Sequence, residues 1–240
     1  MITPSAITLS VASLERSRHF YAEVLGLGER PFLQLVEDPG ALPVVARAPG
    51  LFHFALVLPD RPALAASLQR LIAHGYPLQG AADHLVSEAL YLADPDGHGI
   101  ELYRDRPREA WQWAEGRVRM TTDPLDVRAL LDEAPAASAT EPMHAGTKLG
   151  HVHLRASRLE DSLEFYTELG FDLTCEYPGA IFLSTGGYHH HVALNVWQSR
   201  NAGLAPEHSA RLLRVTFEAA EAKTVVDPNG IELEFVVGSS

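Results

Sequence analysis

The sequence predicts an α+β fold made of four similar modules, each built from strands and a helix. Two motifs carry this prediction, because each occurs twice, in the same order, along the 240 residues. The motif Leu-Glu-x-Ser-x-x-Phe-Tyr spans residues 14–21 and 159–166, and the motif Asp-Pro-x-Gly followed by Ile-Glu-Leu spans 94–102 and 227–233. Repetition at this scale indicates duplicated structural units, so each half can be interpreted against the other.

The composition excludes several classes of protein. The chain is 46% hydrophobic, enough for a core, and its formal net charge of -12 disfavours nucleic acid, since phosphate binding needs clustered Lys and Arg. It has no apolar run near the roughly 20 residues of a membrane span and no basic segment leading into an apolar one, so we expect a soluble, cytoplasmic protein. Cys175 is the only cysteine, so a metal site must use histidines and carboxylates.

The first half of the chain predicts two modules, each of which begins with a strand followed by a helix. Ser13 and Asp60 are suited to begin the two helices, and the Asp-Pro-Asp-Gly turn is suited to close a hairpin. The predicted strands are 6–11, 51–58, 89–92 and 100–103, and the predicted helices are 14–25 and one between Asp60 and Gly75. We assign residues 1–106 to an N-terminal domain.

The second half repeats this pattern after a linker over 107–146, which is rich in Pro, Ala and acidic residues and holds a short helix within 124–133. The C-terminal domain is assigned to 147–240. Its predicted strands are 149–156, 180–184, 189–196, 212–217 and 231–237, and its predicted helix is 159–169. Only 13 positions separate Arg214 from Asp227, against 41 between His53 and Asp94, so the fourth module is truncated. The first module is shortened in the same way.

These motifs resemble those of the vicinal oxygen chelate superfamily, which includes glyoxalases, antibiotic-resistance proteins and extradiol dioxygenases. The runs 83–91 and 186–191 are similar to the two-domain catechol 2,3-dioxygenases in particular. The resemblance implies tandem glyoxalase-like domains of β-α-β-β-β modules, paired into cup-shaped mixed sheets with a divalent metal on the concave face. It also implies an Fe(II) centre, with Mn(II) as the alternative, that binds a catechol and O2 and cleaves the ring beside the diol.

The same resemblance places the metal ligands at His53, Glu101 and His151. The positions that match them in the other half are held by Arg214, Glu232 and Ala6. Arginine and alanine cannot bind a metal, so a complete set of two histidines and one carboxylate forms only if the second and third modules pair. A carboxylate in an apolar strand is costly to bury without a cation, although an exposed sheet edge would also accommodate Glu101.

The resemblance also indicates the residues that handle protons and substrate. His191 matches the second member of a His-His pair and is assigned as the acid/base, since its unperturbed pKa of about 6.5 lies near neutral pH. His189 and Asn195 share its face if 189–196 is a strand, and we expect them to hydrogen-bond the diol or O2. Tyr103 follows Glu101 on one face and is expected to orient the substrate.

Three classes of function remain open from the sequence. The leading one is a metal-dependent extradiol ring-cleaving dioxygenase acting on a catechol-like aromatic diol. It is favoured over a glyoxalase-type isomerase or lyase because the fourth glyoxalase ligand falls on Ala193. A metal-free protein that binds or sequesters a small molecule is the third. His84 and Trp197 are placed near the site by the resemblance alone, and shortened outer modules leave sheet edges that favour a homo-oligomer.

Overall fold

Strands from the two halves of the chain pair with each other in both large sheets of the computed structural model, which describes residues 1–136 and 139–238. The strands of the first half are β1 (Thr3–Val11), β2 (Leu33–Glu37), β3 (Gly50–Leu58), β4 (Gly80–Asp83), β5 (Ser87–Ala93), β6 (Gly99–Asp105), β7 (Trp113–Ala114), β8 (Arg117–Val118) and β9 (Asp123–Pro124). Those of the second half are β10 (Lys148–Arg155), β11 (Asp172–Tyr177), β12 (Ala180–Ser184), β13 (Val192–Asn195), β14 (Arg211–Ala219), β15 (Lys223–Val226) and β16 (Glu232–Val237).

The helices are few and lie against the sheets. They are α1 (Leu14–His19), continued by a π-helical turn over Phe20–Val24, α2 (Arg61–Ala73), α3 (Val127–Leu131) and α4 (Leu159–Glu168), with a 3₁₀ turn at Arg108–Ala110. Ser13 and Asp60 cap α1 and α2 as the sequence predicts, because their side chains accept hydrogen bonds from backbone N–H groups of the first turns. None of the described helices has the length and apolar character needed to cross a membrane.

Among the described residues, the first and fourth modules form one sheet and the second and third form another. The five-stranded sheet has the order β15-β16-β14-β1-β2, and the nine-stranded sheet has the order β11-β12-β13-β10-β3-β6-β5-β4-β9. The two halves meet through the antiparallel pairs β1–β14 and β3–β10. Buried apolar side chains of both sheets and the helices form a continuous core. The predicted α+β class is therefore confirmed.

The two repeated motifs contact each other, which explains why they recur together. The hydroxyl of Tyr21, after α1, donates a 2.9 Å hydrogen bond to Asp94 in the turn of the second module. The hydroxyl of Tyr166 on α4 donates a 3.4 Å bond to Asp227 in the turn of the fourth module. Each helix is thus attached to the turn of the next module, and the motif tyrosines have a polar role as well as a place in the core.

The structure corrects two sequence assignments. The predicted strand 189–196 begins only at Val192, so the alternation assumed for the three preceding histidines is wrong. Glu101 lies opposite Ala55, which comes two positions after His53. Thr216, which comes two positions after Arg214, lies opposite Glu234. Glu234, rather than Glu232, therefore holds the place equivalent to Glu101.

The division into domains 1–106 and 147–240 stays a prediction. Positions 137–138 of the linker and 239–240 at the end of the C-terminal domain lie outside the described residues. In the linker, α3 lies inside the predicted helical range, and the short strands β7, β8 and β9 were not predicted.

Candidate metal centre

Side chains from three adjacent strands converge on one buried point. Nε2 of His53 on β3 lies 2.9 Å from Oε2 of Glu101 on β6, and Nε2 of His151 on β10 lies 3.2 Å from the same oxygen. One candidate donor atom from each residue lies within 4.8 Å of the others. Two imidazoles and one carboxylate are the facial ligand set typical of non-haem Fe(II), which leaves further coordination positions open.

The register of the nine-stranded sheet produces this convergence. His151 lies opposite Ala55 on β3, and Ala55 lies opposite Glu101 on β6. Residues opposite each other on neighbouring strands share a face, and His53 shares it because it comes two residues before Ala55. The small side chain of Ala55 lets the three longer side chains meet beside it.

Burial and mutual contacts set the protonation of Glu101 and His151. His53, Glu101 and His151 are 5%, 3% and 1% exposed. Burial by itself raises the pKa of Glu101, but the charge and hydrogen bond of His151, together with His53, hold that pKa well below its usual range. Burial lowers the pKa of His151 to about 4, against the opposing effect of Glu101. An ionised carboxylate beside a neutral imidazole is the state that binds a metal.

The residues present fit a divalent cation. Among the described residues, Nε2 of His53 is buried without a hydrogen-bond partner, because its approach to Glu101 lacks hydrogen-bond geometry. In the same part of the chain, the Glu101 carboxylate contacts the imidazoles of His53 and His151 and forms no ion pair with a lysine or arginine. A buried carboxylate and an unpartnered imidazole nitrogen are both costly, and a cation bound by these three side chains would satisfy both.

A cavity of about 360 Å³ opens beside the His53 and Glu101 side chains. This volume is within the range of roughly 300–1,000 Å³ usual for small-molecule sites. Its mouth is marked by Tyr177 and Trp197, which line the cavity while 42% and 47% exposed to solvent. Trp197 therefore lines the cavity that opens beside the centre.

Tyr91 and His84 form a polar pair in the wall of this cavity. Tyr91 on β5 lies opposite Glu101 on β6, and its hydroxyl is 2.7 Å from Nε2 of His84. Nδ1 of His84 lies 2.6 Å from the carbonyl of Thr121 and must carry the hydrogen, so Nε2 accepts from Tyr91. Burial and the charge of Glu101 raise the pKa of Tyr91 well above its usual value, which keeps the phenol protonated.

Sequence reasoning missed Tyr91, although a signal for it existed. The predicted hairpin across the Asp-Pro-Asp-Gly turn sets Tyr91 opposite Glu101 once the register is counted outward from the turn. Residues in that relation share a face. The hairpin prediction alone was therefore sufficient to place a phenol beside the predicted carboxylate ligand.

His190, and not His191, lines the cavity. Its ring centroid lies 4.1 Å from that of His151. His191 instead stacks on Tyr188 and shares a 3.0 Å hydrogen bond between its Nδ1 and the Ser184 hydroxyl. The three histidines lie in the loop before β13, so the alternation used to select His191 does not apply to them.

A chain of hydrogen bonds assigns the tautomer of His190. Oδ1 of Asp105 lies 2.8 Å from Nε2 of His189, so that nitrogen carries the hydrogen. Nδ1 of His189 lies 2.7 Å from Nδ1 of His190. Because Nδ1 of His189 carries no hydrogen, it must accept the hydrogen bond from His190. His190 therefore carries its hydrogen on Nδ1 and leaves Nε2 free to accept a proton. Burial, reinforced by the charges of His151 and His189, lowers the pKa of His190 well below its usual value.

Two other predicted site residues lie behind the cavity rather than in its wall. Tyr103 is fully buried, with its ring 4.9 Å from His151 and its hydroxyl 2.8 Å from that of Tyr188. Asn195 is buried, and its amide nitrogen lies 3.0 Å from Nε2 of His153, which does line the cavity. Both support residues nearer the centre, and His189 does the same for His190.

The fold and its convergent ligand set define the class of protein. The chain belongs to the Glyoxalase/Bleomycin resistance protein/Dioxygenase superfamily, whose family model matches residues 148–230. The relationship extends over nearly the whole chain. The protein named Catechol-2,3-dioxygenase from Bacillus subtilis (strain 168) is 44% identical over 248 residues, covering 95% of this chain and 84% of that relative.

Solved structures show the same fold. A crystal structure of a protein assigned as a dioxygenase from Bacillus subtilis subsp. subtilis str. 168 matches with a TM-score of 0.62 and 13% identity, covering 97% of this chain and 84% of that one. Glyoxalase I from Zea mays matches with a TM-score of 0.55 and 17% identity, covering 99% and 92%. At these identities the likeness concerns the fold alone.

Proposed function

We propose that this protein is an extradiol ring-cleaving dioxygenase that acts on a catechol-like aromatic diol with O2, in the breakdown of aromatic compounds. The observation that carries the proposal is the buried cluster of His53, Glu101 and His151 at the base of a cavity sized for a small ligand. The 44% identity to a protein named Catechol-2,3-dioxygenase supports it. Fe(II) is the proposed cofactor, with Mn(II) as the alternative.

The three ligands leave one side of the centre facing the cavity. When bound, the divalent metal supplies Lewis-acid and redox chemistry toward the diol and O2. In the net reaction, the ring bond between one hydroxylated carbon and its unsubstituted neighbour breaks, and both atoms of O2 enter the product. No other reactant is needed.

The residues around the cavity supply proton transfer and orientation. We assign the role of base to Nε2 of His190, in place of His191, because it is the free nitrogen of a ring in the cavity wall. It accepts a proton from the diol and returns it to the ring-opened product. The Tyr91 hydroxyl, whose hydrogen is donated to Nε2 of His84, accepts a hydrogen bond from a hydroxyl of the substrate. His189 positions His190, Tyr103 packs on the ligand His151, and Asn195 holds His153 in the cavity wall.

Anaerobic reconstitution with Fe(II), followed by addition of catechol and air, tests this proposal. We expect a yellow ring-opened product that forms with uptake of one O2 per catechol, and loss of product with the variant His190→Phe at unchanged iron content. Absence of the product from the iron-loaded protein with any uncharged catechol would contradict the proposal.

A further inference from the structure

The cavity beside the candidate metal centre has walls without cationic groups. Apart from the histidines and Glu101, its lining consists of glycines and of aliphatic, aromatic, thioether, amide and hydroxyl side chains. Among the described residues that line it, none is a lysine or arginine. A carboxylate on a ring substituent that points away from the centre would therefore be buried without an opposing charge, which is costly.

The arginines at the end of β6 and at the start of α2 are engaged with carboxylates. Arg104 on β6 donates from Nε to Glu88 at 2.8 Å, and Arg106 just beyond β6 donates to Asp83 and Glu88. Glu88 also accepts a 2.9 Å bond from Arg61 of α2. These guanidinium groups form a network with carboxylates outside the cavity lining, so they do not provide an anion site within it.

One side of the cavity is an aromatic wall, composed of Phe52, His153, Phe182 and Trp197. The ring of Phe52 lies 4.9 Å from His153 and 5.5 Å from Trp197, both edge to face. His153 also packs edge to face on Phe182 at 5.8 Å. Such contacts fix ring orientation and present a rigid apolar surface. The wall begins next to the ligand His53 and ends at the cavity mouth.

We propose that the preferred substrate is an uncharged catechol whose ring carries an apolar alkyl or aryl substituent packed against the aromatic wall, and that catechols bearing a carboxylate are excluded. This inference rests on the proposed function. The substituent lies between the centre and Trp197, where its burial removes apolar surface from water without leaving a charge unpaired.

Equilibrium binding to the iron-loaded protein under argon tests the inference without turnover. The ligands are 4-isopropylcatechol and 3,4-dihydroxybenzoate, whose substituents are nearly equal in shape and differ in charge. Methyl 3,4-dihydroxybenzoate retains the electron-withdrawing carbonyl without the charge. By calorimetry we expect 4-isopropylcatechol to bind about 10-fold or more tightly than 3,4-dihydroxybenzoate, with the ester near the isopropyl compound. Equal or tighter binding of the carboxylate would overturn the inference.

Variants of Trp197 test the aromatic wall. Trp197→Leu should weaken 4-isopropylcatechol about 5-fold while changing unsubstituted catechol less than about 2-fold, and Trp197→Phe should restore most of the loss. Trp113→Leu is the matched control, because Trp113 is similarly exposed but lies on β7 outside the cavity lining. Equal effects of Trp197→Leu on both ligands, or none, would contradict a substituent site at the wall.

The outcome separates this inference from the proposed function. If the affinities rank as expected but no diol yields a ring-opened product in air, only the proposed function fails. If ring cleavage occurs but the carboxylated catechol binds as well as the isopropyl compound, only the substrate inference fails. If none of the diols binds, both fail.

Discussion

The histidines around the cavity differ in which nitrogen is left free, and that difference assigns their roles. His84 uses both nitrogens, one on a carbonyl and one on the Tyr91 hydroxyl. His189 also uses both, between Asp105 and His190. His190 has one nitrogen engaged and one free in the wall of the cavity. Its loop position places it there, and no strand periodicity could have indicated it.

Replacing Asp105 by Asn tests the assignment of the His190 tautomer. The amide can donate as well as accept, so His189 is no longer held with its hydrogen on Nε2, and His190 loses its fixed tautomer. We expect the kcat for catechol cleavage to fall about 10- to 100-fold, with little change in KM or iron content. Steady-state kinetics and metal analysis provide these values.

Glu168→Gln is the control for this substitution, because it neutralises an exposed carboxylate at the end of α4. It should leave kcat unchanged. Wild-type kcat in Asp105→Asn would show that Asp105 does not act through His189, and a parallel loss of iron would indicate a structural role instead.

At the level of the elements, the repeated motifs hold each helix to the turn of the following module. The Tyr21–Asp94 bond, at 2.9 Å, is shorter than its counterpart between Tyr166 and Asp227, at 3.4 Å. Both phenols and both carboxylates are buried. A short bond to a buried carboxylate contributes more to stability than a long one, so the first attachment should be the stronger.

Tyr21→Phe should therefore destabilise the protein more than Tyr166→Phe. We expect the free energy of unfolding to fall by about 1–3 kcal/mol for the first variant and by less for the second, because each removes one hydrogen bond while keeping the ring in the core. Urea denaturation followed by circular dichroism gives both values. Equal losses, or a larger loss for Tyr166→Phe, would contradict the ranking.

The two turn carboxylates should also respond to pH in opposite directions. Burial by itself raises the pKa of Asp94, but hydrogen bonds and charge from His98 outweigh it and lower that pKa. Asp94 thus stabilises the fold above its unfolded pKa of about 3.9, and this contribution is lost as pH falls through the folded value. Burial raises the pKa of Asp227, so its contribution is lost as pH rises through the folded value.

Urea titrations of Asp94→Asn and Asp227→Asn between about pH 3 and pH 7 measure this difference. Relative to wild type, the stability deficit of Asp94→Asn should shrink toward acid, whereas that of Asp227→Asn should grow. The same pH trend in both variants would show that the two turns do not differ electrostatically as described.

The sequence predicted most elements because repeated motifs and capping residues act locally. Ser13 and Asp60 cap helices as expected, and the hairpin across the Asp-Pro-Asp-Gly turn has the expected strands. Prediction from the sequence failed where contacts with distant parts of the chain decide the secondary structure. The run 189–191 has strand-like neighbours but forms a loop, and β11 was missed at a sheet edge.

The candidate ligand set was accessible from the sequence for a related reason. The family resemblance indicated the ligand positions, comparison of the halves showed which of them carry histidine or carboxylate, and the structure brings His53, Glu101 and His151 together. Register between distant strands was not accessible. It assigns the place equivalent to Glu101 to Glu234, because the turns are equal in length and the Ile-Glu-Leu run begins two residues closer to Asp227 than to Asp94.

For the molecule as a whole, the pairing of modules yields two large sheets, and within the part of the chain that the structure describes the ligand set lies in the nine-stranded one. In the five-stranded sheet, the places of His151, His53 and Glu101 are held by Ala6, Arg214 and Glu234. The Arg214 guanidinium forms ion pairs with Glu232 and Glu234, so a fixed positive charge already neutralises the carboxylate at the place equivalent to Glu101. We therefore predict about one tightly bound metal per chain, at the nine-stranded sheet.

Metal analysis of protein purified and reconstituted with Fe(II) without air tests this account most directly. We predict about one iron per wild-type chain, less than about a tenth of that in His151→Ala, and wild-type content in Arg214→Ala and Glu234→Gln, which change the equivalent places in the other sheet. Circular dichroism should show that His151→Ala remains folded. Wild-type iron content in folded His151→Ala would contradict the proposed centre.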